Sequence, residues 1–202
     1  AAGVTKVYVA IGNYNVDGNS FVMKNGVEIY GGFDPVNNTT DWNTRILPNE
    51  YPTNGGSPEG SVLNGQNSKP VIWNEFTSST ALDNSAVLDG FTVKNARNTV
   101  TGVGAGIFNK FASPVLRNLV IKNNYTVIGA GINNSASSPL VTNVKIINNF
   151  GSDGVAFIEL DNSNSILTNV EITKNVANAT NGNIVIHGGG TIMMKNVTIV
   201  DN

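Results

Sequence analysis

HGGG at 187–190 has the form of an oxyanion strand, whose backbone N–H groups hold a developing alkoxide. That chemistry also needs a G-x-S-x-G elbow, and the sequence has none. His187 is the only histidine, so no second imidazole completes a metal site. A structural or surface role is expected for it. GVGAGI at 102–107 misses the G-x-G-x-x-G dinucleotide spacing, because position 107 is Ile. LPNEYPTNGGS at 47–57 contains no Walker lysine. Two acidic groups, Asp41 with Glu50 and Asp153 with Glu159 and Asp161, have the residue types for glycosidic cleavage or calcium binding. Dispersed acids on a repeat surface are more often plain solvated groups. Trp42 and Tyr51 are candidate ligand-binding residues, as aromatic platforms for a sugar ring. The competing reading has both covering the apolar flank of neighbouring strands. No catalytic residue, metal ligand or cofactor is assigned.

Composition narrows the classes. The 202 residues carry 12 basic and 14 acidic side chains, a formal charge of −2. That balance, with no basic run, gives no electrostatic reason to bind nucleic acid or an acidic membrane. Only 13% of residues are charged. Solubility therefore falls to neutral polar groups, chiefly 33 Asn beside 22 Gly, two residues that tolerate left-handed backbone in tight turns. The absence of Cys excludes disulfides and thiolate chemistry, and suits bacterial export as well as the cytosol. No apolar run approaches the roughly 20 residues of a membrane helix. AAGVTKVYVA opens as a strand already under way and NVTIVDN closes on a repeat unit, so a segment of a longer protein is expected. The sequons NNT, NYT and NAT are expected by chance at this Asn content.

A repeat positions these residues. Gly90, Asn118, Asn143, Asn169 and Asn196 mark successive units at intervals of 28, 25, 26 and 27. One place later come Phe91, Leu119, Val144, Val170 and Val197; three places later come Val93, Ile121, Ile146, Ile172 and Ile199. Between them lie Thr92, Val120, Lys145, Glu171 and Thr198, a mixed and largely polar column. This is strand alternation, inward–outward–inward. Two places before each marker lie Leu88, Leu116, Val141, Leu167 and Met194. Six places after come Ala96, Asn124, Asn149, Asn175 and Asn202, either a stacked amide ladder or plain turn residues. Glycine units recur at 104, 129, 154 and 182, with the third glycine replaced by Ala156 and then Ile184. VLNG at 62–65 aligns with VLDG at 87–90.

Short strands at a period near 26 cannot bury their apolar faces alone, so the units must stack. The expected fold is all-β: a right-handed, single-stranded parallel β-helix of about seven or eight coils, roughly 25–28 residues each, forming a rod of about 35 Å. One domain spans 1–202. The Pro-rich stretch 33–61 breaks the period and is expected to leave the rod as an irregular loop. Ile146→Asn should destabilise strongly and Lys145→Asn little.

GVEIYGGFD, DWN, VLNG, VLDGFTV and the repeated GAGI-N-N…SP-L-x-N-x-x-I-NN resemble right-handed parallel β-helix surface proteins of Bacteroidetes-type bacteria, relatives of chlamydial polymorphic membrane proteins. The resemblance covers nearly the whole chain. It implies a secreted or cell-surface location, export by the type IX route through a separate sorting domain, and an adhesive role. Implied partners are polysaccharide or other surface and host molecules, and the flanking domains of a larger chain. Neither nucleic-acid binding nor membrane insertion by this segment is implied. Pectate lyases and polygalacturonases share the architecture, but their clustered Asp with a basic residue, or Asp pair with Gly-His-Gly, is not found. A non-catalytic stalk, adhesin or interaction scaffold is therefore the expected function. Polysaccharide lyase or hydrolase activity and a glycan-binding module are the alternatives.

Overall fold

The apolar columns become rows of parallel strands. The computed structural model describes residues 5–36, 42–48, 59–179 and 181–202. The longest sheet stacks Lys6–Ala10, Glu28–Phe33, Val87–Asp89, Val115–Lys122, Leu140–Ile147, Asn164–Thr173 and Thr191–Val200 in chain order. Seven strands in that order trace about six turns of a parallel β-solenoid. Two shorter sheets complete the cross-section. One runs from Arg97–Val103 through Tyr125–Ile128 and Phe150–Gly151 to Val176–Ala177. The other runs from Ile72–Glu75 through Ile107–Lys110, Ile132–Ser135 and Phe157–Leu160 to Ile184–Ile186. The only helix among the described residues is the single 3-10 turn Trp42–Thr44.

Register follows the repeat. Leu116 pairs with Val141, Val141 with Leu167 and Leu167 with Met194. Ile121, Ile146, Ile172 and Ile199 form a second row. Leu116, Ile121, Val141, Ile146, Leu167 and Ile172 are fully buried. Methyl-rich side chains packed at interior density hold the stack together.

The repeat markers have a physical role. Asn118, Asn143, Asn169 and Asn196 all adopt left-handed backbone, with φ of 53–54°. Gly90 occupies the same place with φ 83°. Each bends a long strand into two halves, and Asn and Gly are the residues that enter this region most cheaply. The stretch that breaks the period enters at the same bend. Phe33 ends one half-strand and Ser61 begins the other, so the chain leaves and rejoins the solenoid where it already turns.

Three expectations are corrected. VLNG at 62–65 does not stack on VLDG at 87–90. Val62 pairs with Thr92 and Leu63 with Val93, while Val87 and Leu88 pair with Glu28 and Ile29. The excursion puts 27 residues between halves that are adjacent elsewhere, so the similar tetrapeptides belong to different halves. Ile184 lies over Phe157 rather than over Ala156. The outward column is not uniformly solvated: Thr92 and Val120 are buried. The returning end of the excursion covers Thr92, whose hydroxyl donates to the Glu59 carbonyl at 2.8 Å.

Candidate functional site

Several of the polar side chains buried in the solenoid bond to one another from turn to turn. In the buried column, the Asn124 amide donates to Asn149 Oδ1 at 3.0 Å, Asn149 to Asn175 at 2.9 Å and Asn175 to Asn202 at 2.9 Å. Each Oδ1 also accepts a backbone N–H from the neighbouring turn, as Asn149 does from Asn124 at 3.0 Å. The second amide hydrogen goes to a carbonyl, Ile121 in the case of Asn149. An amide with two donors and two accepting lone pairs is thereby saturated. Of the two readings of this column, the ladder is the one observed.

Two further ladders escaped the sequence reading. The bend residues themselves form one, from Asn196 through Asn169 and Asn143 to Asn118 and Asp89, with contacts of 2.7–3.2 Å. The other is buried: Asn74 donates to Asn109 at 3.0 Å, Asn109 to Asn134 at 2.9 Å, and Asn134 to Glu159 at 3.4 Å. The parallel between GAGIFN and GAGINN contained its signal, since Asn109 and Asn134 hold equivalent places.

Glu159 is therefore a ladder terminus. Its side chain is fully buried, and Oε2 has no hydrogen-bond partner among the described residues. Burial pushes its carboxyl up to about 7, opposed by hydrogen bonds from Ser165, Asn134 and Ser163. Asp153 and Asp161 do not join it. Asp161 is exposed and accepts from the Ser135 hydroxyl at 2.6 Å. No group of three potential metal ligands converges among the described residues. His187 is exposed on a corner, where Gly188 and Gly189 take φ of 75° and 84°. Its N–H donates to the Glu159 carbonyl at 2.8 Å, so HGGG continues the backbone ladder.

Trp42 is half exposed and packs among aromatic side chains. Its ring meets Tyr30 edge-on at 4.3 Å, and the Arg45 guanidinium lies 4.5 Å above it. Arg45 also reaches Asp89 at 3.1 Å, and Arg117 grips the same carboxylate at 2.5 Å. The Tyr30 hydroxyl donates to Glu28, and burial followed by that bond raises its pKa to about 12. Trp42 thus anchors the excursion to the first turns and leaves part of its ring in solvent. Tyr51, Asp41 and Glu50 lie outside the described residues. The excursion's other anchor is Glu59, held by Lys94 and, at 2.6 Å, by Lys122. Burial opposes its ionisation, yet the two lysines hold its carboxyl below the usual range.

Several concavities stand apart from these anchors. An apolar void of about 230 Å³ lies between the first turns, lined by core side chains such as Val9, Ile29, Leu63 and Phe91. No polar groups converge there. Open hollows of about 480 and 300 Å³ share Lys69, Pro70 and Trp73 on the outer surface. Trp73 is half-buried and stacks on Phe108 at 4.1 Å and 23°. Comparison with protein-family models, curated proteins and solved structures finds no match.

Proposed function

We propose that the chain is a non-catalytic β-solenoid segment of an extracellular or cell-surface protein, serving as an adhesive stalk or interaction scaffold. One observation carries the reading: the side chains best suited to chemistry are committed to structure. The amides of Asn124, Asn149, Asn175 and Asn202 are linked to one another between turns. Asp89 and Glu59 are each held by two cationic side chains. A stack so wired transmits load along its length and offers a long lateral surface, which suits spacing and attachment. The resemblance to Bacteroidetes-type surface proteins belongs to this proposal, as does right-handed winding, the usual hand of parallel crossovers.

The test is incubation of the purified chain with a panel of acidic and neutral polysaccharides, followed by chromatography of the products. No new oligosaccharide is expected. Product formation abolished by a single carboxylate substitution would replace the scaffold reading with that of a lyase or hydrolase.

A further inference from the structure

The outer hollows at Trp73 are built by three successive turns. The Trp73 N–H donates to the Phe21 carbonyl at 3.0 Å, and the Ser20 hydroxyl donates to the Pro70 carbonyl at 2.8 Å. The Arg97 N–H donates to the Lys69 carbonyl at 3.1 Å. That last bond places two cationic residues side by side on adjacent turns. The half-buried indole is held in place. Phe108 covers one side, and the indole N–H donates to Glu75 at 3.1 Å. Glu75 is in turn held by Lys110 at 3.0 Å. An aromatic platform fixed in advance loses little freedom when a ligand arrives.

The lining has a distinct chemistry. Lys69 and Arg97 are exposed, and neither is joined to a carboxylate among the described residues. The Arg97 guanidinium rests 5.1 Å from the centre of the Tyr125 ring, which fixes its direction. The described lining holds no carboxylate, although the chain as a whole has a charge of −2. Val22 and Val100 add apolar rims, being 61% and 95% exposed. The rest is neutral and hydrogen-bonding, with Asn19 and Thr99 exposed.

We propose that the Trp73–Lys69–Arg97 groove binds an anionic saccharide, stacking one sugar ring on the indole and holding its carboxylate or sulfate between Lys69 and Arg97. Apolar sugar faces match the indole and the valine rims. Neutral side chains match hydroxyls, and the guanidinium offers a fork to a planar anion. Two cations are too few for the many phosphate contacts of nucleic-acid binding. The proposal deepens the scaffold reading and rests on it, since it makes the groove a place of attachment rather than turnover.

The experiment is calorimetric titration of the full chain with a hexamannuronate, its carboxyl-reduced neutral counterpart, a heparin-derived hexasaccharide and hexaglutamate. Binding is expected for at least one anionic saccharide, and which of the two binds identifies the anion. The neutral sugar and the peptide should bind at least about tenfold more weakly. Affinity should fall about tenfold or more between about 50 and about 500 mM salt. Trp73→Ala and the exposed double variant Lys69→Gln/Arg97→Gln should each weaken binding by about tenfold, while Trp42→Ala should not. Three results each overturn the proposal: no saccharide binding, equal binding of hexaglutamate, or wild-type affinity in the folded double variant. Chromatography of the same mixtures separates the two readings. Binding with cleavage sinks the scaffold, whereas no binding and no cleavage sinks only the groove.

Discussion

Glu159 breaks the rule that its neighbours keep. Three turns place Asn74, Asn109 and Asn134 in one buried column, and the fourth places a carboxyl there. Its facing groups, Asn134, Ser163 and Ser165, are neutral, and their hydrogen bonds offset only part of the cost of burying an ionised form. The acid's ordinary value of 4.5 rises to about 7 in the fold. Below 4.5 both folded and unfolded chains carry the proton, and the residue has no effect on the pH dependence. Between 4.5 and about 7 the unfolded chain ionises first, so stability falls as pH rises. Above that window both states are ionised and the loss is constant, on the order of 3 kcal/mol. Glu159→Gln keeps the shape and removes the charge. Its melting temperature should match or exceed wild type at every pH and should lack the decline between 4.5 and about 7. Parallel melting curves for the two proteins across that window would show that Glu159 stays ionised in the fold. Glu59 acts in the opposite sense: its lowered pKa adds stability that is lost only in acid, which the Gln variant leaves in place.

Among the strands and their bends, two asparagine columns of like sequence make different demands. Asn149 is buried, and its Oδ1 accepts from both the side chain and the N–H of Asn124. Asn149→Ala orphans both donors in the interior, which costs about 3 kcal/mol or more. Asn143 is exposed at φ 54°, and its main service is the bend. Asn143→Gly keeps the left-handed backbone and loses only two solvated hydrogen bonds, with Asn118 and Asn169, so a change within about 1 kcal/mol is expected. Urea denaturation of the two variants measures both, and similar losses would contradict this division of roles. The inward columns and the amide column from Asn124 to Asn202 were legible because each recurs at a fixed place in the period. The burial of Ile146 and the solvated ion pair of Lys145 with Glu171 at 3.4 Å fit that register. The third ladder was not legible, because its column passes from Asn134 to Glu159 and then Ile186. The first turns were misread because the excursion separates Phe33 from Ser61. Trp73, Lys69 and Arg97 raised no signal, since only stacking brings position 97 beside position 69.

For the whole molecule, stacking makes stability a sum of neighbouring interfaces rather than a property of one shared core. The strand Thr191–Val200 pairs on one side only, with Asn164–Thr173, among the described residues. Its inward side chains Met194 and Ile199 are 42% and 47% exposed, while Ile146, two turns away, is fully buried. Local opening should therefore begin at the outer strands, here and at Lys6–Ala10, which also pairs on one side only among the described residues. Native-state hydrogen exchange should show protection rising from Val197 through Val170 to Val144. Asn175→Ala sharpens the test, because Asn175 donates its N–H and its amide to Asn202, both at 3.0 Å or less. It also accepts the Asn149 N–H at 3.0 Å. Removing it weakens the contacts on both sides of one turn and leaves distant interfaces unchanged. Protection should drop by about tenfold or more between Ile172 and Val200, and stay near wild type between Ile107 and Ile121. A uniform loss across all these strands would mean that the solenoid opens as a single cooperative unit, and the nearest-neighbour description would then be wrong.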